Sequence, residues 1–297
     1  MIQSGDVADW RKAGKIAAQA LSYGRSLVVP GAKARDVLDA IEDRIRELGG
    51  EIAFPAQLST NEIAAHWCAA PDDGFTFTDE VVCLDVGVHV NGCIGDNACT
   101  IDLSGSHQPL VEASRAALEK AVSVIRPGIT LGEIGTAIQE TIESYGYSPV
   151  RNLSGHGLDV YDVHAYPSVP NIATADTTEL PAGKIIAIEP FATDGAGAIQ
   201  ESTHPTVFMM VARKPVRSPY ARQLLKVIES FNGLPFTTRW LTKAMPKGKV
   251  LLGLRELVRA GAVKEFPPLV EVKKGLVSQA EYTVLVGDTP EILTRIE

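Results

Sequence analysis

The chain is short of cysteine and aromatic residues and has no long apolar run, and each shortage excludes a class of protein. Its four cysteines, Cys68, Cys83, Cys93 and Cys99, include no CxxC pair, so neither a thiolate zinc site nor a redox dithiol is indicated. Cys93 and Cys99 are six residues apart on one expected strand, a span of roughly 20 Å that no disulfide bridges. Such thiols read as small packing groups in a reducing compartment. No segment approaches the length of a membrane span, and the start MIQSGDVADWRKAGK lacks the basic-then-apolar order of a signal peptide. A soluble, cytoplasmic protein is expected, and Gly195-Ala196-Gly197 is a lone glycine pair rather than a nucleotide loop.

With 297 residues, 45% hydrophobic and 22% charged, the chain fits one large globular domain or a domain carrying an insertion. Its formal charge of −8 is unevenly spread. Residues 211–274 hold fourteen Lys and Arg against four Asp and Glu, a net of +10 that leaves −18 elsewhere. Separate partners for the two parts follow from that asymmetry.

Two aspartates stand where strands disfavour them. The apolar runs Val81 to Val90 and Cys93 to Ile101 flank Asn91-Gly92, the strongest short signal for a type I′ hairpin turn. Pairing Val90 with Cys93 sets Gly87 opposite Asp96 and Asp85 opposite Ala98, all on one face. The aspartates become diagonal neighbours at roughly 7 Å, where buried carboxylates repel unless one is protonated or a cation intervenes. They could be polar caps at a strand end or an acid dyad, but hard divalent cations with oxygen ligands fit better.

A degenerate repeat runs at an offset of 97 residues, SLVVPGAKARDVLDAIEDRIRELGG (26–50) lying over SVIRPGITLGEIGTAIQETIESYGY (123–147). Each copy is a Pro-Gly turn, an amphipathic helix and a terminal glycine, and Thr130 with Glu133 makes a capping box in the second. Helices over 7–23 and 108–124 precede the copies, and strands over 81–102 and about 184–210 follow them. An α+β fold of two pseudo-twofold-related halves is expected, with a site between them. Beyond Pro215 helices over 220–231 and 249–261 interrupt the pattern until the strand AEYTVLV (280–286) returns. This reads as an insertion, giving boundaries of 1–205, 206–270 and 271–297.

Three further segments carry metal-ligand side chains in apolar or glycine-rich surroundings: SGHGLDVYDVHAYPSVP with His156 and His164, IIAIEPFAT with Glu189, and SQAEYTVLV with Glu281. A lone histidine of this kind is often only a satisfied core residue. As a set, four carboxylates and one imidazole could hold two divalent cations roughly 3.5 to 4 Å apart with room for a bridging hydroxide.

The series NEIAAHWCA, LDVGVHVNGCIGDNACTIDL, RNLSGHGLDVYDVHAYPSVP, AIEPFAT and QAEYTVLV resembles the motifs of the type II methionine aminopeptidases over essentially the whole chain. FTTRWL, LRELVRAGAV and FPPLVEVK resemble the helical, winged-helix-like subdomain that separates type II from type I. The resemblance implies a pita-bread fold and two divalent metals (Co, Mn, Fe or Zn). It implies that Asp85 chelates one metal, that Asp96 and Glu281 bridge both, and that His156 and Glu189 bind the other. His66 and His164 would be substrate-side histidines, with Phe54 near the methionine pocket. A metal-bridging hydroxide would attack the carbonyl of the initiator methionine, Glu189 would relay a proton, and His164 would stabilise the oxyanion.

Gln57 stands where the family tends to have Asn, and Ala280 and Tyr282 where Phe and His are frequent, departures that bear on the outer shell rather than on the ligands. The expected partners are nascent polypeptide N-termini, with ribosome contact through the basic insertion, no sequence-specific nucleic acid, no membrane and a monomeric state. Two other readings compete: an aminopeptidase P or prolidase acting on Xaa-Pro peptides, and a pita-bread binding protein without catalysis. The basic insertion and the GHGLDVYDVHAYPSVP form argue against the first, and the filled ligand positions against the second.

Overall fold

A computed structural model describes residues 5–295. The first half runs α1 (Val7–Leu27), α2 (Ala34–Glu47), β1 (Glu51–Thr60), β2 (Ile63–Ala65), β3 (Val81–Val90) and β4 (Cys93–Asp102). The second runs α3 (Gln108–Val124), α4 (Leu131–Ser144), β5 (Ser148–Pro149), β6 (Ser154–Asp159), β7 (Asp162–Pro170), β8 (Ile185–Ile188), β9 (Phe191–Thr193) and β10 (Ile199–Glu201). Each half packs a pair of helices on antiparallel strands. The mixture of helix and sheet is the expected α+β arrangement.

The internal repeat is reproduced in the backbone. Helices α2 and α4 are each 14 residues long and start 97 positions apart. Gly31, Gly128, Gly49 and Gly146, at the turns before and after them, all take left-handed φ, which costs glycine no Cβ clash. Lys33 and Thr130, equivalent under the same offset, cap the two helices, and each forms an isolated antiparallel bridge, to Thr76 and Glu179. The capping box of Thr130 and Glu133 is present.

Apolar spacing sets how each helix packs. Ile134, Ile138 and Ile142 recur along one face of α4 and are fully buried in the core of the second half, each contributing about 1.5–3 kcal/mol of burial. Val37, Leu38, Ile41 and Ile45 do the same for α2 in the core of the first half. Glu42 breaks that apolar face although its side chain is wholly buried.

Between the second half and the last strands lie β11 (Val207–Met210), α5 (Pro219–Ile228), β12 (Phe236–Thr237), α6 (Thr238–Ala244), α7 (Lys247–Arg259) and β13 (Val263–Phe266). The helix expected over 220–231 ends at Ile228 and continues as a 3-10 turn to Phe231. β12, β11 and β13 form one small sheet, and Phe208, Leu224, Phe236, Leu241, Leu254 and Leu257 share a separate core with these helices. Because β11 and β13 pair along their length, from Val207 opposite Phe266 to Met210 opposite Val263, the segment leaves and returns at one point. The chain closes with β14 (Leu269–Glu271), β15 (Val277–Gln279), β16 (Tyr282–Leu285) and β17 (Glu291–Ile292).

Among the described residues no helix is long and apolar enough to cross a membrane.

Candidate metal centre

The Asn91-Gly92 turn gives the register expected of it. Val90 pairs with Cys93, Gly87 with Asp96 and Asp85 with Ala98, without a bulge anywhere between β3 and β4. Both aspartates face the junction of the two halves, where β16 meets β4. Glu281 bridges Ala98, its N–H donating to the Ala98 carbonyl at 3.0 Å. Two threonines substitute for a continuous ladder there. Thr283 Oγ1 accepts the Asp96 N–H and donates to the Asp96 carbonyl, both at 2.8 Å. Thr100 Oγ1 does the same for Gln279, also at 2.8 Å each way.

β6 brings the imidazole. Its neighbours Gly155 and Gly157 are pressed between adjoining strands, where a Cβ would come within 2.3 Å of the Ala187 and Tyr166 carbonyl oxygens respectively. Only glycine fits on either side of His156. His156 Nε2 lies 3.9 Å from Asp96 Oδ2 and 3.5 Å from Glu189 Oε1. One ligand atom each from Asp96, His156 and Glu281 falls within 4.8 Å of the others. Gln279 Nε2 reaches Glu189 Oε2 at 3.3 Å and Glu281 Oε2 at 3.5 Å. Asn171 donates to the carbonyls of Glu189 and Leu153, both at 3.1 Å, which fixes the chain just past β8, where Glu189 stands.

These side chains line a cavity of about 230 Å³, walled by Phe54, Val163, Phe191, Val207, Phe266 and Leu269. Drug-sized ligands occupy roughly 300–1,000 Å³, so the space suits one amino-acid side chain and its neighbouring backbone. His66 and His164 stand at its edge, His164 exposed and stacked edge-on to His156 with ring centroids 4.6 Å apart. Phe54, expected near the substrate side chain, is on the wall.

Like charges crowd this cavity, and among the described residues no Lys or Arg lines it. Burial pushes the Asp85 carboxyl up to about 7. Burial, and then the neighbouring carboxylates, hold Asp96 and Glu281 well above the usual range, and burial with the charge of Asp85 does so for Glu189. The same burial lowers His156 to about 3 and His66 to about 4. Asp85 Oδ1 and Asp96 Oδ1 are covered and have no hydrogen-bond partner. A carboxylate buried in this state is costly. Four such groups around one neutral imidazole fit divalent cations, which would supply the missing positive charge.

Several residues that build the site carry no motif of their own. Thr100, Thr283 and Asn171 act through main-chain contacts, and Gln279 is only the first letter of the segment holding Glu281. For Thr100, Gln279 and Thr283, polarity inside apolar strands was the one available signal, and Asn171, just past β7, had none.

Residues 8–207 match metallopeptidase family M24. The methionine aminopeptidase of Thermococcus onnurineus is 47% identical over 93% of this chain and 94% of its own length. Among solved structures, the methionine aminopeptidase of Thermotoga maritima superposes with a TM-score of 0.72 at 25% identity, covering all of both chains. A thermophilic Arx1 superposes with a TM-score of 0.86 over 99% of this chain and 91% of its own, at 14% identity, a likeness of fold alone. Holding such a buried cluster of carboxylates about His156, the chain belongs to metallopeptidase family M24 and, within it, to the methionine aminopeptidases.

Proposed function

We propose that this protein is a type II methionine aminopeptidase that removes the initiator methionine from nascent chains whose second residue is small. The observation that carries this reading is the convergence of Asp85, Asp96, His156, Glu189 and Glu281 on one small cavity, with two buried carboxylate oxygens unpartnered. These five residues would hold two divalent metals, Co, Mn, Fe or Zn. Metals bound there supply Lewis acidity, which activates water at neutral pH and polarises a carbonyl.

The chain's own groups do the rest. Glu189 takes the proton of the attacking water and passes it to the departing amine. His164, at the mouth of the cavity, donates to the oxygen that becomes negative. His66 holds the scissile amide, and Phe54 contributes apolar wall to the methionine side chain.

Residues 206–270 we assign as a winged-helix-like insertion between 1–205 and 271–297, of which the outermost residues, 1–4 and 296–297, lie outside the described ones. The separate core and the paired entry and exit strands support that division. Part of its basic charge is engaged on the acidic body, Lys247 with Asp72 at 2.5 Å and Lys243 with Asp39 at 3.5 Å. Arg222, Lys226, Lys249, Arg255 and Arg259 remain exposed on α5 and α7. These cations are suited to ribosomal RNA phosphates, bound without regard to sequence and weakened by salt. Co-sedimentation with ribosomes at low and high salt, comparing wild type with a charge-reversed Lys249/Arg255/Arg259 variant, tests it, and equal pelleting of both proteins refutes it. The enzyme is further proposed to act as a cytoplasmic monomer, in keeping with four free cysteines.

The deciding experiment is hydrolysis of Met-Ala-Ser and of Xaa-Pro peptides across a metal-reconstitution series. Release of methionine from the first alone is expected. Cleavage of Xaa-Pro alone would establish the aminopeptidase P or prolidase reading, and no turnover with any metal the non-catalytic one.

A further inference from the structure

His66 takes a left-handed backbone conformation, with φ of 65°. A residue other than glycine keeps such a conformation only where its surroundings over-determine it. Two side chains do so here. Gln57 Oε1, from β1, accepts the His66 N–H at 2.5 Å. On the other side Thr206 Oγ1 donates to the His66 carbonyl at 3.2 Å and accepts the Cys68 N–H at 3.2 Å. The imidazole is held separately, edge-on to Phe266 with centroids 5.7 Å apart, and its Nδ1 is covered without a hydrogen-bond partner.

We propose that Gln57, assisted by Thr206, is the positioning residue of His66, fixing the direction in which the imidazole enters the cavity. Gln57 is only 6% exposed and stands opposite Asp85 in the β1–β3 ladder, so its amide is itself fixed by packing. Removing its oxygen leaves the His66 N–H unpaired in a covered site, and the backbone relaxes out of the left-handed region. The imidazole then turns from the reacting amide. Misplacement of a catalytic group by about 1 Å is enough for a hundredfold loss. The side-chain carbonyl is the essential feature, and the side-chain length sets how well it reaches.

This inference rests on the reading of His66 as a substrate-side group. Its test is a double-mutant cycle with Gln57→Met and His66→Ala, followed by kcat and KM on Met-Ala-Ser, bound metal and the urea midpoint. Gln57→Met is expected to lower kcat/KM between about tenfold and a hundredfold, with metal content and midpoint close to wild type. In the His66→Ala background the same substitution should cost nothing further, since a residue that acts through His66 has nothing left to position. Gln57→Asn, which keeps the amide oxygen one methylene back, should recover part of the loss. Additive losses in the cycle would overturn the positioning role and leave the His66 reading intact, whereas a His66→Ala enzyme of wild-type kcat/KM would overturn that reading first. Should Gln57→Met fail to fold, Thr206→Val enters the same cycle, with the same non-additivity expected and additivity equally decisive against the proposal.

Discussion

Arg239 on α6 and Glu42 on α2, 197 residues apart in sequence, form a two-pronged ion pair at 2.5 and 2.9 Å. The side chain of Arg239 is 3% exposed and that of Glu42 wholly buried. Asp39 accepts from the same guanidinium at 2.6 Å, and Trp240 Nε1 donates to Glu42 at 2.7 Å. The pair docks the segment between β11 and β13 onto the first helix pair of the body. It also accounts for the one acidic residue on the buried face of α2.

Removing one partner of a buried pair strands the other charge, which costs about 3–5 kcal/mol. Arg239→Leu is therefore expected to destabilise the protein by that amount in urea denaturation. Replacing both residues, as in Glu42→Leu with Arg239→Leu, should recover a large part of the loss. A single mutant within about 0.5 kcal/mol of wild type, the range of ordinary surface changes, would contradict the pairing.

Divalent cations should stabilise the folded chain, because they bind a site absent from the unfolded one. The gain approaches about 2.7 kcal/mol at a hundredfold excess over Kd. A thermal-shift series with Mn, Co and Zn measures it. Asp96→Asn and Glu281→Gln should blunt the shift and abolish turnover while leaving the circular dichroism spectrum unchanged, and full activity of either at saturating metal would contradict the two-metal assignment.

The roles given to the two substrate-side histidines separate kinetically. His164→Ala is expected to lower kcat by about a hundredfold or more, as loss of an oxyanion donor does, with metal content preserved. His66→Ala should follow the same pattern more mildly. Unchanged kcat/KM on a methionyl peptide in both variants would remove these assignments.

Glu271 predicts an acid limb in stability. Burial pushes its carboxyl up, but N–H donors from Gly275, Lys273 and Ala196, at 3.1, 2.6 and 2.5 Å, outweigh burial and hold it below the usual range. A group with a depressed folded-state pKa binds its proton more readily when unfolded. Its stabilisation is therefore complete above the unfolded value of about 4.3 and is lost as pH falls through the lower folded one. Urea midpoints measured downward from pH 6 should fall below about pH 4.5, and the fall should be shallower in Glu271→Gln. Parallel curves for the two proteins would show that this carboxylate does not contribute.

The local parts of the structure were legible in the chain. Asn91-Gly92 and the alternation on either side of it determined the β3–β4 register and placed Asp85 and Asp96 on one face, since turn geometry and a period of two are properties of neighbouring residues. The 97-residue repeat and the Thr130 capping box likewise determined α2 and α4. The ligand residue types were visible one by one and gained meaning through resemblance, yet spacing alone did not bring His156, Glu189 and Glu281 to the aspartates. That was decided by Thr100 and Thr283 joining β4 to the last strands, and by the close approach of β6 between its neighbours. The Arg239–Glu42 pair and the Thr206 bond to the left-handed His66, from 140 residues away, were decided in the same way. Periodicity and turn chemistry act over a few bonds, whereas a contact across some two hundred residues exists only when whole elements have packed and their buried polar groups must find partners.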